Sequence, residues 1–484
     1  MKSQIEWASS SNLAGIVALD KLRKTVRRRV GSLGWRQRMG SSKYSIGGTI
    51  MGDEMRDDLA IIISNEERGS MAAQLGAAHY SYRFAEGKFR DILTELADVR
   101  YAKYPYAYAS KEYVYQDLEL ESEKLIHLAF RSPENLRVLK GLYNICAVAW
   151  EFDVMHDTDW RGQNPIKKQT RMLGLFDEIW ATSTYTQSVL SSHGLKNVQL
   201  IPAPVDDVWE NPDDFELNDL GGVQFYPVNM NVGTNDMLYS HGLLSKEPKG
   251  IPEVVRKANK SNSIYLTILN PFDMRKNLLA MLCGFEAFAK EHPDATLLVK
   301  LSVPKADSRV EQSQAIVHSL RISLGEAFSM KSKNIFFIFG YLSDDEMSSL
   351  HAVSDFYLAP AVAEGQNLPL IEAMTAGTIG VATRNTAMLD YIDTDNSVVI
   401  NTKRLPAAML DLATREARKY HEIDIASSYD IYLALKQTAK LSSEQREAMG
   451  KKGKARCKAL YAPSVIKEKV SARLSSIVGK VAAS

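Results

Sequence analysis

A chain of 484 residues has room for two or three domains, and its 45% hydrophobic and 24% charged residues are ordinary globular values. The net charge of +1 names no partner, and three scattered cysteines (Cys146, Cys283 and Cys457) without a CxxC pair exclude a disulfide framework and a structural zinc site. No apolar run is long enough to span a bilayer, and Met1 to Asp20 lacks the basic start and apolar core of a secretory signal, so a cytoplasmic location is expected.

Residues 1–55 read as a basic tail or amphipathic segment. Ten lysines and arginines in the first fifty residues stand against Glu6 and Asp20, and Leu22, Val26 and Val30 share a helical face. Such a segment suits the anionic inner face of a membrane as a peripheral anchor. A solvated tail is the equal alternative. Nothing elsewhere in the chain supports nucleic-acid binding.

From residue 56 to 205 the chain alternates strands and helices. The spacing predicts strands over Leu59 to Ser64, Leu125 to Phe130, Ile145 to Trp150, Asp177 to Ser183 and Val198 to Pro202. Helical patterns start near Met71 and at Thr186. Strands alternating with helices imply a parallel, doubly wound sheet. Residues 206–261 break the rhythm with Asn211-Pro212, Gly221-Gly222 and Pro248-Lys249-Gly250, and read as a domain linker with an insertion. Residues 262–450 resume it, with strands at Ile264 to Leu269, Ala295 to Leu301, Ile335 to Phe339, Phe356 to Ala359 and Ile379 to Ala382. Helices are expected over Asn277 to Lys290 and Leu370 to Ala376. Residues 451–484 read as a C-terminal helix with Val465, Val470 and Leu474 on its buried face.

The most informative stretch is Ala363 to Met374. Glu364 follows a buried strand, Gly365 comes directly after it, and Glu372 rides in the helix opened by Pro369. The loop between offers backbone N–H groups at a helix N-terminus, where anions bind. Beside it, a carboxylate suits sugar or ribose hydroxyls.

This Glu-x7-Glu pattern, with Glu-Gly at its head and Glu-Ala-Met at its tail, resembles the donor motif of retaining GT-B glycosyltransferases of family 4, the glycosyl transferases of group 1. Three further segments are similar to that family in the expected order. Leu175 to Ser183, followed by Ile201 to Asp206, looks like the end of the acceptor-side domain. Asn270 to Asn277 opens the donor side, and Phe339 to Glu346 resembles the border of the nucleotide base. The resemblance implies a GT-B fold: two doubly wound, Rossmann-like α/β domains facing a central cleft. It implies a catalytic set of Glu364, Lys276, Arg275 and Glu372, with Lys276 neutralising the diphosphate and Glu372 on the ribose. Donor contacts would come from Asn270, Gly365, Gln366, Asn367, Leu368, Tyr341 and Leu342. Two departures stand out. Most relatives carry an aromatic and a glycine where this chain has Gln366 and Asn367, and the position of a usual arginine falls on Asn270, with Arg275 adjacent to Lys276.

On the acceptor side, Trp150, Glu151, His156 and Gly69 are candidates, with the core and a capped turn as the competing reading for Trp150 and Glu151. Asp157-Thr158-Asp159 has the spacing of a metal clamp but reads as a solvated turn, so no metal or other cofactor is expected. The implied function is transfer of a sugar from a nucleotide diphospho-sugar to a glycan or lipid-linked acceptor in bacterial polysaccharide synthesis, by a hexosyltransferase of the retaining, metal-independent kind. The alternative is a degenerate GT-B protein that binds a nucleotide sugar or a partner without turnover.

Overall fold

The structure is a computed structural model. It describes residues 59–65, 80–102, 124–155, 168–206, 225–232, 263–302, 328–406 and 422–481, with positions 118, 166, 220 and 223 and without Phe272. The chain divides into two compact units, residues 1–50 and 51–484. The basic N-terminal segment and the expected helix start at Met71 lie outside the described residues, as do Gly69, His156 and the Asp157–Asp159 turn.

Within the larger unit, two parallel sheets carry the fold. The first runs in the order β2-β1-β3-β4-β5-β6. It comprises β1 (Leu59–Asn65), β2 (Asp98–Tyr101), β3 (Lys124–Phe130), β4 (Tyr143–Val148), β5 (Glu178–Ala181) and β6 (Val198–Leu200). All seven residues of β1 are buried, which is why the strand reads as a continuous apolar run rather than an alternation. Helix α1 (Tyr80–Leu96) covers one face through Phe89, Leu93 and Leu96, and Phe89 lies 5.6 Å from the Phe130 ring and 6.0 Å from Trp180. Helices α2 (Gln169–Leu173) and α3 (Thr184–Ser192) pack on the other. Ser183 caps α3 by accepting from Thr186 N–H.

The second sheet runs β13-β12-β11-β8-β9-β10-β7. Its parallel strands are β8 (Ile264–Leu269), β9 (Thr296–Leu301), β10 (Phe328–Ile338), β11 (Phe356–Ala359), β12 (Ile379–Thr383) and β13 (Ser397–Ile400). The edge strand β7 (Tyr226–Val232) joins β10 antiparallel. It comes from residues 206–261, the segment read as a linker. Tyr226 is buried and meets the Phe339 ring edge-on at 5.5 Å, so an apolar anchor draws this turn-rich stretch into the sheet. Helices α4 (Leu278–Glu291), α5 (Asp344–Ala352) and α6 (Leu368–Thr375) follow β8, β10 and β11. A capping box between Ser343 and Glu346 starts α5. A small hairpin, β14 (Lys403–Pro406) with β15 (Glu422–Ile425), precedes α7 (Ser428–Thr438).

The C-terminal part is two helices rather than one. α8 (Ser443–Tyr461) packs on the second sheet's core through Cys457 and Tyr461. Pro463 cannot continue a helix's hydrogen bonding, and α9 (Pro463–Val481) leaves in a new direction. α9 buries Ile466, Val470, Leu474 and Ile477 in the core of the first sheet. Val470 and Leu474 lie in that face as expected, whereas Val465 is only half-buried and Ile466 takes its place. Arg473 on α9 fixes the helix by donating to both carboxylate oxygens of Glu178 at 2.7 and 2.8 Å.

Candidate active site

The carboxyl ends of the two sheets meet. Thr182, after β5, donates to the Gly365 carbonyl at 2.7 Å, and Thr184 N–H donates to Asp390 at 3.0 Å. Gly365 is required by this approach. A Cβ there would sit 2.9 Å from Ala149 Cβ and 3.4 Å from Glu151 Oε2. The glycine after the first glutamate therefore lets the donor loop close on the opposite domain.

Glu364 ends the segment after β11 and is buried. Its carboxylate accepts from Lys276 Nζ at 2.5 Å. Its backbone N–H donates to Thr386 Oγ1 at 2.9 Å. Thr386 has φ +44, a left-handed conformation that a β-branched residue rarely adopts, so local strain sits directly beside the glutamate. Sequence reading missed Thr386, and no local signal marks it.

The loop from Glu364 to Asn367 has one-sided polarity. Its carbonyls are taken: Glu364 O by Ala387 N–H, Gly365 O by Thr182, Gln366 O by Tyr391 OH, and Asn367 O by the N–H groups of Leu370 and Ile371. The N–H groups of Gly365, Gln366 and Asn367 donate to no described group. Asn367 adopts φ 64, ψ 58, a left-handed cap that asparagine tolerates, and α6 starts from it. Donors without a partner among the described residues, at a helix N-terminus, suit an anion. A cleft opens beside Asn367, bounded by Ile268, Lys276, Tyr357, Pro360 and Glu364 among others.

Lys276 and Arg275 stand together in sequence but not in role. Arg275 Nη1 pairs with Glu151 of the first sheet's domain, and its Nη2 and Nε lie 2.7 and 3.0 Å from Asp273. Its guanidinium also lies over the Phe152 ring at 5.6 Å. Burial pulls the guanidinium pKa down, but Asp273 and Glu151 more than offset it. For Asp273, burial raises the carboxyl pKa, and Arg275 with Lys276 lowers it further than that. Arg275 thus ties the two domains through carboxylates, whereas Lys276 faces the cavity. Asn270 is half-buried just before them.

Gln366 points its amide away from the loop's free donors. Nε2 donates to Ala203 O at 2.8 Å, and Oε1 accepts from Ala203 N–H at 3.1 Å. Leu368 packs between the cores of both sheets. Leu342 is buried, while Tyr341 beside it is 46% exposed. On the acceptor side, Trp150 is core: it meets Phe152 edge-on at 4.8 Å and donates to Val154 O at 3.3 Å. Glu151 is the partner of Arg275 and touches the donor loop at Gly365.

Glu372, on α6, is buried at 3% exposure, and its Oε1 lies 3.4 Å from Lys88 Nζ. Lys88 comes from α1 and was not legible in the sequence. Burial pushes the Glu372 carboxyl pKa up, and Lys88 pulls it part of the way back. Among the described residues no group of three or more His, Cys, Asp or Glu side chains is placed to hold a metal ion.

The fold is GT-B. A glycosyltransferase from Rickettsia africae ESF-5 superposes over 87% of this chain and 99% of its own, with a TM-score of 0.50 at 9% identity, a likeness of fold. Residues 311–415 match the family model described as Glycosyl transferases group 1. The match contains Glu364 and Glu372. The chain is also similar to a TarM variant of S. aureus solved in complex with UDP (12% identity, 71% of this chain, 54% of that one, TM-score 0.42). It resembles sucrose-phosphate synthase from Thermosynechococcus elongatus as well (12% identity, 87% and 99%, TM-score 0.48). The chain spans about half the length of TarM. A search of curated protein sequences finds no match. Among the described residues, no helix is long and apolar enough to cross a membrane.

Proposed function

We propose that the protein is a retaining hexosyltransferase that moves a sugar from a nucleotide diphospho-sugar to a glycan or lipid-linked acceptor in bacterial polysaccharide synthesis. The observation that carries this is the Lys276–Glu364 contact of 2.5 Å beside the unpartnered N–H groups of Gly365, Gln366 and Asn367. One cation and three fixed dipoles converge where a diphosphate leaving group gains charge, and a carboxylate stands ready for sugar hydroxyls. Preorganised donors of this kind supply most of the stabilisation of a developing anion.

In the proposed reaction the bond between the anomeric carbon and the β-phosphate oxygen breaks. The acceptor hydroxyl attacks the same face and gives its proton to the departing phosphate. Lys276 turns from Glu364 to that phosphate, Glu364 accepts from the sugar hydroxyls, and Glu372 accepts from the ribose. This chemistry asks for no protein nucleophile, metal or other cofactor. The basic segment of residues 1–50 would hold the protein at the inner face of the membrane, near a lipid-linked acceptor.

A second reading, a GT-B protein that binds without turnover, has one observation in its favour. Arg275 is saturated by Asp273 and Glu151, so Lys276 is left as the cation beside the loop. The test is a thermal-shift screen against UDP, GDP, dTDP and CMP and their sugar conjugates, with and without EDTA. Stabilisation by one nucleoside diphosphate class, unaffected by EDTA and lost in Lys276→Ala, supports the donor site. Hydrolysis or transfer of the matching sugar separates enzyme from binder. Absence of any shift overturns the transferase reading and favours a GT-B protein that binds a partner without turnover.

A further inference from the structure

Glu372 is the buried carboxylate of the site that lacks a full set of partners. Its Oε1 accepts no hydrogen bond, although it lies at ion-pair distance, 3.4 Å, from Lys88 Nζ. A carboxylate buried without compensation is costly and tends to take up a proton. The groups around it divide unevenly. Asp206, after β6, and Asp344, at the head of α5, push Glu372 the same way as burial does. His351, on α5, is fully buried, and burial pulls its imidazole down to about 3, so it is neutral at physiological pH and gives no help. Lys88 is the cation that opposes them.

Lys88 is itself well held. Its side chain is 11% exposed, its ammonium lies 2.6 Å from Asp206 Oδ2, and its Nζ sits 5.3 Å from the centre of the Phe84 ring. Burial pulls the ammonium pKa down, and Glu372 with Asp206 more than offsets it. The lysine belongs to α1 of the first sheet, and Glu372 to the donor motif of the second. One charge thus spans the two halves at the donor motif.

We propose that Lys88 is a positioning residue for the donor: from the opposite domain it aims the Glu372 carboxylate so that the 2′ and 3′ hydroxyls of a ribonucleotide both find an acceptor. The inference rests on the donor-site reading above and deepens it. An ionised carboxylate accepts at both oxygens, whereas its protonated form spends one of them as a donor. A vicinal diol needs the former. Oε1 lies 3.4 Å from Lys88 Nζ but accepts no hydrogen bond, and so keeps acceptor capacity for the second hydroxyl. Discrimination for ribose over 2′-deoxyribose then depends on a residue that touches neither sugar nor phosphate.

The experiment measures the binding of UDP, GDP and their 2′-deoxy counterparts to the full chain by calorimetry from pH 5.5 to 9. The proteins are wild type, Lys88→Met, Lys88→Arg and Glu372→Gln. Loss of one charge-assisted hydrogen bond corresponds to about tenfold in affinity. Wild type is expected to prefer the ribonucleotide about tenfold with a flat pH profile. Lys88→Met is expected to lose most of that preference and to weaken further as pH falls, while its affinity for the 2′-deoxy probe changes little. Lys88→Arg should restore the preference, and Glu372→Gln should abolish the pH dependence. Should Lys88→Met not fold, Lys88→Arg against Lys88→Gln gives the same contrast. A Lys88→Met protein with wild-type preference and a flat profile overturns this inference alone. A wild type that binds none of the four probes overturns the donor-site reading and this inference together.

Discussion

Gln366 and Ala203 exchange two hydrogen bonds across the junction of the two domains, as neighbouring strands do. The side-chain amide donates to the Ala203 carbonyl at 2.8 Å and accepts from its N–H at 3.1 Å. Both residues are buried. Gln366 at the donor loop is thus a structural tie: glutamine satisfies a backbone that an aromatic side chain would leave bare.

Gln366→Leu is expected to lower stability by about 2–4 kcal/mol, because two buried backbone groups at Ala203 lose their partners. A urea titration checks it. A loss under 0.5 kcal/mol would mean that the hinge relaxes to satisfy Ala203 another way.

Arg473→Met is expected to cost about 3–5 kcal/mol, the range for stripping the partner from a buried charge. Glu178 is fully buried and would keep only Trp180 Nε1–H at 2.9 Å and Tyr143 OH at 3.3 Å. The double variant Arg473→Met with Glu178→Leu should recover much of the loss in thermal melts. Failure to recover would place the damage in helix packing rather than in charge.

Lys300 lies in β9 at 4% exposure, and burial alone pulls its pKa from 10.5 down to about 8. Below pH 8 both folded and unfolded chains carry the proton, and the folded one bears the full cost, on the order of 3 kcal/mol. Between about 8 and 10.5 that cost fades as pH rises, because only the unfolded chain remains protonated. Lys300→Met should therefore raise the urea midpoint at pH 7, with a gain that shrinks towards pH 10. An equal gain at both pH values would exclude titration as the cause.

His127 and His351 act in the opposite pH range. Burial pulls His127 down to about 4 and His351 to about 3. As pH falls below about 6.5 the unfolded chain protonates first, so stability is lost at roughly 1.4 kcal/mol per pH unit per histidine until each folded value is reached. His127 Nδ1–H donates to Asn144 Oδ1 and Nε2 accepts from the Ser64 hydroxyl, each at 2.8 Å. His127→Gln should flatten the decline in urea midpoint between pH 6.5 and 4.5. An unchanged slope would assign the acid sensitivity elsewhere.

What the sequence reveals follows from how local the signal is. β8 was legible to the residue, Ile264 to Leu269, because its six side chains, all but Thr267 apolar, are buried on both faces. β2 was missed because an edge strand reading Asp98-Val99-Arg100-Tyr101 has no apolar run and is partly exposed. The β14–β15 hairpin lay outside the expected set for similar reasons, whereas β13, four residues at the sheet edge, was missed although it is mostly buried. Glu364 and Glu372 stand out through a strand, a loop and a helix that set their spacing, whereas Lys276 is marked by the family resemblance alone; the structure brings Lys276 to Glu364. Lys88 could not be found, since its value lies in a contact with a residue far away in the chain, and nothing around Gly87 and Phe89 announces it. Adjacent Arg275 and Lys276 look alike in sequence; only the approach of Glu151 separates their tasks.

Helix α9 closes the core that β1 begins, with Ile466, Val470, Leu474 and Ile477 against Leu59, Ile61 and Ile63. A ribosome releases β1 well before α9, and at roughly 5–20 residues per second the interval is tens of seconds. Throughout it, the nascent amino-terminal half shows an oily face that its own partner has not yet reached. Translation order thus makes this half the client of whatever shields apolar surface in the cell, and a premature stop anywhere before residue 463 strands it there.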